Sequence, residues 1–454
     1  MVRSARCSTG GVDPNLTPTR PLISKPLGAL PGRATWLTRG IEVNKTRLLA
    51  LAISTALATS LAASSVLAQE DEGVAAKVIL DTDMVELFDD GMAMLLLERA
   101  PNIDLLGVTV VSGNTPMPRG LATGARQLEA MRSETPLYAG SRFGMRNWRF
   151  DPDILAAEQA LSPVVSWPGY LGHSDDTIGG DPMADWTEVY ESLYGEAPAY
   201  ANVFEPGVPD ADGIDGAVDF LIEMADRYPG ELTVVAIGPL TNIARAIMKD
   251  PTFPSKVKEM VYMGGSFYLP GNSSASAEFN WWADPEAAKI SVRQLWGDTE
   301  SETFASYGNQ VIAGLEANAN TGGMPEDLYY EMVEGTFPGM ADLFHAREAA
   351  IEAGAWGTIA PNNIWDLFAA AYVIDPTVVL SWNDDPRPEG DVPQPIYGVY
   401  VDVDTNDGLD YGRSLAFRED VGPVGTQKAA IENFIDEEKF WTELVVPLSA
   451  DPEK

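Results

Sequence analysis

The chain alternates between two hydrophobic periods. A short apolar run, Val78-Ile79-Leu80, stops at Asp81; Met92, Leu95 and Leu96 then recur at helical spacing, and a second apolar run over 103–111 ends at Gly113-Asn114. Strand, acidic loop, helix and strand make one βαβ unit. The pattern continues with a helix over 122–131, a short strand at 136–138, a helix over 214–227 and a strand over 232–237. Gly238-Pro239-Leu240-Thr241-Asn242 opens a helix through 248, a strand over 260–263 ends in Gly264-Gly265, and Asp284-Pro285 caps another helix. Helices are predicted over 325–354 and 366–372, paired strands at 396–403 and 414–418, and a last helix over 431–448. The stretch 141–210 has no clear period; Trp148, Trp167 and Trp186 favour an ordered lid over a disordered insert. With no repeat and no linker, residues 69–454 read as one domain of the α/β class: an open, mostly parallel, Rossmann-like sheet flanked by helices.

Residues 1–68 carry a different pattern. Lys45 and Arg47 precede a run over 48–67 rich in Ala, Leu, Ser and Thr, and Val66-Leu67-Ala68 offers small residues before an acidic stretch. That is a secretory signal cut after Ala68, implying export to the periplasm or the medium with no stable membrane anchor. A membrane-anchoring helix fits less well, because the run is too polar. Residues 1–42, upstream of such a signal, read as an over-extended start.

Composition narrows the chemistry. Cys7 is the only cysteine and His173 and His345 the only histidines, which argues against a disulfide framework, a thiolate site or a multi-histidine zinc site. A net charge of −37 argues against nucleic-acid partners. The candidate chemistry lies in Asp81, Asp83, Asp89 and Asp90, crowded into ten residues beyond a strand end, where open parallel sheets bind ligands. Carboxylates so close repel one another, and a bound cation is the usual remedy.

Several motifs fall at strand ends: Asp81-Thr82-Asp83 with Asp89-Asp90, Ser112-Gly113-Asn114, the 238–242 turn, Gly264-Gly265, the 271–280 segment ending Glu278-Phe279-Asn280, and Trp365-Asp366. In order and spacing they resemble the calcium-dependent nucleoside hydrolases, also called inosine–uridine-preferring, from about 77 to about 448. The resemblance implies hydrolysis of a small ribonucleoside to ribose and free base. It implies Ca²⁺ held by Asp83, Asp90, the Ile237 carbonyl and Asp366, with Asp83 as general base toward a calcium-bound water. Asp89, Asn114, Asn272, Glu278 and Asn280 match ribose-binding positions, and Met263 lines the sugar pocket. A homo-oligomer is compatible with it.

Two departures from the family pattern matter. Trp365 stands where a histidine often protonates the departing base; with a lid tryptophan it suggests stacking on a purine. His173, in the lid stretch, is a second candidate for the base site. The acidic loop has five residues (84–88) between Asp83 and Asp89 where three are usual, which either displaces Asp89 and Asp90 or bulges outward. Two rivals remain: a non-catalytic exported ribose- or nucleoside-binding protein on the same fold, and a haloacid-dehalogenase-type phosphatase with Asp81 as nucleophile and Asp83 as acid/base.

Overall fold

The computed structural model describes residues 75–85, 87, 89–146, 154, 180–208, 210–354, 357–362, 364–418 and 421–454. The signal-like segment, Trp148, Trp167 and His173 lie outside the described residues. The compact unit is 73–454. Its strands are β1 (Ala76–Thr82), β2 (Ile103–Val110), β3 (Leu137–Ala139), β4 (Val203–Phe204), β5 (Leu232–Ala236), β6 (Glu259–Met263), β7 (Gln310–Ala313), β8 (Val379–Trp382), β9 (Val399–Val403), β10 (Ser414–Phe417) and β11 (Gln427–Ile435). They form one sheet in the order β10-β9-β11-β7-β6-β5-β1-β2-β3-β4, with β8 also paired to β11. From β11 to β4 every neighbouring pair is parallel; β8, β9 and β10 join antiparallel.

The order carries the functional geometry. From β1 the chain winds one way through β2, β3 and β4, then crosses to the other side of β1 for β5, β6 and β7. The crevice between the carboxyl ends of β1 and β5 is therefore a topological switch point, where such sheets bind ligands. Both faces are covered. Val78, Leu80, Val235 and Ile237 point into one apolar core, and Ile79, Val234 and Ala236 into the other. A strand buried on both sides needs no polar alternation, which is why these strands read as plain apolar runs.

The flanking helices include α1 (Asp89–Arg99), α2 (Met117–Ala130), α3 (Trp186–Tyr194), α4 (Gly216–Arg227), α5 (Thr241–Lys249), α6 (Phe279–Ala283), α7 (Pro285–Val292), α8 (Glu326–Gly335), α9 (Pro338–Glu352) and α10 (Trp365–Ile374). Asp284 caps α7 as expected, accepting from the Ala287 N–H. Three expectations need correction. Residues 431–435 lie in β11, not in a helix; the chain becomes helical only from Glu437. The 141–210 stretch is not wholly irregular, since it contains α3 and β4. Trp186 is no lid aromatic: it is 8 % exposed, packed in the main core edge-on to Tyr190.

Candidate active site

Three elements deliver four carboxylates to the switch point. Asp83 follows the last residue of β1, Asp89 and Asp90 form the first turn of α1, and Asp366 lies in the first turn of α10. Helix N-termini favour negative charge, so two of these three elements are electrostatically suited to carry it. Carboxylate oxygens of Asp89, Asp90 and Asp366 lie within 4.8 Å of one another. The Asp366 N–H donates to Asp89 Oδ2 at 3.4 Å, and the Thr82 hydroxyl to Asp90 Oδ1 at 2.5 Å. Asp83 Oδ2 accepts the Asn114 N–H at 2.5 Å. Two glycines make the space for Asp83. A Cβ on Gly113 would lie 2.0 Å from Asp83 Oδ2, and one on Gly238 2.8 Å from the Asp83 nitrogen.

The electrostatics follow from burial. Asp83, Asp89, Asp90 and Asp366 are all buried. Desolvation, reinforced by the charge of Asp90, pushes Asp83 and Asp89 well above the usual carboxylate range. Burial and then the charges of Asp89, Asp90 and Asp83 do the same to Asp366. Asp90 is raised by burial to about 6, tempered by the Thr82 hydroxyl. A divalent cation among them would offset this repulsion and favour the ionised forms.

The atoms left without a partner on the site's aspartates and on Asn280 are all of one kind. Asp83 Oδ1, Asp89 Oδ1, Asp90 Oδ2 and Asn280 Oδ1 are buried and accept no hydrogen bond. Each is an acceptor, so what completes the site must bring positive charge or hydroxyl donors. An oxygen-only set of this kind suits a hard cation such as Ca²⁺ beside a polyol.

The remaining candidates take varied positions. Asn280 Nδ2 donates to the Ile237 carbonyl at 2.9 Å and to Met263 Sδ at 3.2 Å, which joins three expected site residues in one contact. Glu278 caps α6. One of its oxygens accepts the Asn280 N–H at 2.8 Å, and the other accepts those of Gly265 at 2.9 Å and Trp281 at 3.1 Å. Burial raises it to about 7 against these bonds. Asn272 and the side chain of Asn114 are half-buried, as is Trp365, which leans on the main core directly before Asp366.

Of the described residues between Asp83 and Asp89, two turn inward. Met84 and Leu87 are buried, and Asp89 and Asp90 still meet Asp366. Sequence reasoning missed the support beneath β1. Asp81 is fully enclosed, accepting from the Thr109 hydroxyl at 2.5 Å and from Asn242 Nδ2 at 2.7 Å, and burial lifts it to about 7. Asn242 Oδ1 in turn accepts the Ser141 N–H at 2.8 Å. The 238–242 motif was the available signal, but an asparagine after a turn reads as turn chemistry until its partner is visible. An aspartate walled in this way is poorly placed to act as a nucleophile, which counts against the phosphatase reading.

An open α/β sheet with an acceptor-lined crevice at its switch point defines a ligand-binding or hydrolytic class, and comparison with known proteins narrows it. Residues 78–442 match the family described as inosine-uridine preferring nucleoside hydrolase. The chain belongs to that family, and is thus a hydrolase of N-glycosyl bonds. It is 26 % identical over 372 residues to the pyrimidine-specific ribonucleoside hydrolase RihB of Escherichia coli, covering 80 % of this chain and 94 % of that one. It is 33 % identical over 215 residues to a "Probable uridine nucleosidase 1" of Oryza sativa subsp. japonica, covering 47 % of this chain and only 54 % of the rice protein. Solved structures share the fold. A plant nucleoside hydrolase, PpNRh1, aligns with TM-score 0.56 at 22 % identity over 83 % of this chain and 99 % of that one. A purine-preferring ribonucleoside hydrolase from Gardnerella vaginalis aligns with TM-score 0.53 at 23 % identity over 82 % and 98 %.

Proposed function

We propose that this protein is an exported, Ca²⁺-dependent ribonucleoside hydrolase that favours purine nucleosides. The observation that carries the reading is the set of buried acceptor oxygens without donors on Asp83, Asp89, Asp90 and Asn280. Asp83, Asp90, Asp366 and the Ile237 carbonyl would hold the ion. Asp89, Asn114, Asn272, Glu278 and Asn280 would hold ribose, with Met263 against the sugar. A bound Ca²⁺ supplies Lewis acidity toward water and compensates the carboxylates. The residues do the rest. Asp83, fixed by the Asn114 N–H, takes a proton from a water molecule as the water oxygen bonds to C1′. The C1′–N bond breaks, its electron pair leaves with the base, and the base takes a proton from solvent. Positive charge that develops on the ribose is met by Asp89 and Glu278.

Purine preference rests on Trp365, whose ring offers a stacking surface rather than an acid beside Asp366. The test is chromatographic release of base from a panel of ribonucleosides, with and without a chelator, using protein from Gln69 onward. Chelator-sensitive release from inosine and guanosine, well above that from uridine, is expected. Equal release from uridine removes the purine preference; no release by calcium-bound protein leaves the non-catalytic binding protein. Export is inferred from the 45–68 pattern. Its check is N-terminal sequencing of extracytoplasmic protein, which should begin at Gln69; protein confined to the cytoplasm with an intact leader would refute it.

A further inference from the structure

The acidic loop between Asp83 and Asp89 is received by one face of a neighbouring helix, which holds its described residues. Helix α2 presents Gly120, Thr123, Gly124 and Gln127 at positions i, i+3, i+4 and i+7, which lie along one face. That face receives the loop. Gly120 and Gly124 bring the helix close to the strands behind it, since a Cβ on Gly120 would lie 2.7 Å from Val110 Cγ1 and one on Gly124 3.3 Å from Leu137 Cδ2, and on the same face Met84 lies at contact distance from both. The Thr123 hydroxyl donates to the Met84 carbonyl at 3.3 Å.

Gln127 is fully buried, and its carboxamide is used at both ends. Oε1 accepts the Leu87 N–H at 3.2 Å; Nε2 donates to the Thr123 carbonyl at 3.2 Å and contacts Met84 Sδ at 3.3 Å. Leu87 has a φ of 48°, a left-handed conformation that a leucine adopts only when its surroundings hold it. The same carboxamide touches the start of α1. A Cβ on Gly91 would lie 1.9 Å from Gln127 Oε1, so the residue directly after Asp89-Asp90 must be a glycine for this packing to exist.

We infer that Gln127 is a positioning residue, which clamps the lengthened loop and thereby sets Asp89 and Asp90 against Asp366. Without the clamp, the five residues between Asp83 and Asp89 would let α1 begin in several registers, and the carboxylates at its tip would not be held together. The inference rests on the cation reading above, and calorimetric calcium binding separates the two. Wild-type protein from Gln69 onward, stripped of metal, is titrated with CaCl₂ beside Gln127→Met, which keeps the volume and removes both ends of the clamp. Thr123→Val removes one tether and is the milder variant should Gln127→Met fail to fold.

The expected result is calcium affinity about tenfold weaker in Gln127→Met and a few-fold weaker in Thr123→Val, following the loss of a site's orienting partners. Melting temperatures in chelator should change less than those in calcium. A residue that merely fills the core would lower both melting temperatures equally and leave calcium affinity alone. Wild-type affinity in whichever variants fold overturns the clamp. Failure of the wild type itself to bind calcium overturns the cation reading and the clamp with it.

Discussion

One methyl group at position 113 would collide with the Asp83 carboxylate, since a Cβ there falls 2.0 Å from Oδ2. The Asn114 N–H that fixes that oxygen is the next amide along the chain. Gly113→Ala should therefore displace the carboxylate while leaving the sheet intact. Displacements on the order of 1 Å cost about 100-fold in rate, so kcat/KM for inosine should fall by about that factor with little change in circular dichroism. Near-wild-type turnover would show that Asp83 is not the base. At this scale the sequence was informative about acceptors and silent about supports. Aspartates crowded at and just beyond the end of β1 announce themselves by charge density alone. Gln127 and Asn242 do not, because each acquires its role from a partner 40 or more residues away.

At the scale of elements, the parallel strands and their following helices were legible because each break in hydrophobicity coincides with a turn residue. β11 was not. Ile431, Phe434 and Ile435 fall at i, i+3 and i+4, which imitates a helix, while the segment is in fact a strand between β7 and β9. Burial removes the alternation that would have revealed it. β11 also carries an unexpected group, Glu432, fully buried and opposite Trp382 with neither oxygen hydrogen-bonded. Burial raises its pKa from 4.5 to about 8. Between those values the folded state holds a proton that the unfolded state has released. The contribution to stability is therefore complete at low pH and lost as pH rises toward 8. Glu432→Gln should flatten the fall in melting temperature across that window. Above pH 8 the gain would be on the order of a few kcal/mol. Equal pH slopes in the two proteins would mean that Glu432 finds a partner in solution.

For the whole molecule, the switch-point site gathers like charges that the fold alone does not neutralise. α1, α10 and the end of β1 converge on it, so repulsion there opposes the docking of elements distant in sequence. Net charge tells nothing of this: −37 is a sum over the chain, whereas the penalty comes from four groups taken out of water together. A cation that binds only the folded state should then stabilise the entire unit. At a free concentration about 100 times its Kd the gain is about 2.7 kcal/mol, a rise of a few degrees in melting temperature for a chain of this size. Calcium should produce that rise and a chelator should reverse it. Magnesium should do less, because it prefers a stricter octahedral geometry and releases water reluctantly. Asp366→Ala removes one carboxylate of the cluster. Its metal-free form should melt no lower than the metal-free wild type, since repulsion is relieved, yet it should gain little from calcium. If instead Asp366→Ala responds to calcium as fully as the wild type, the stabilising ion sits elsewhere on the acidic surface and the switch-point carboxylates are not its ligands.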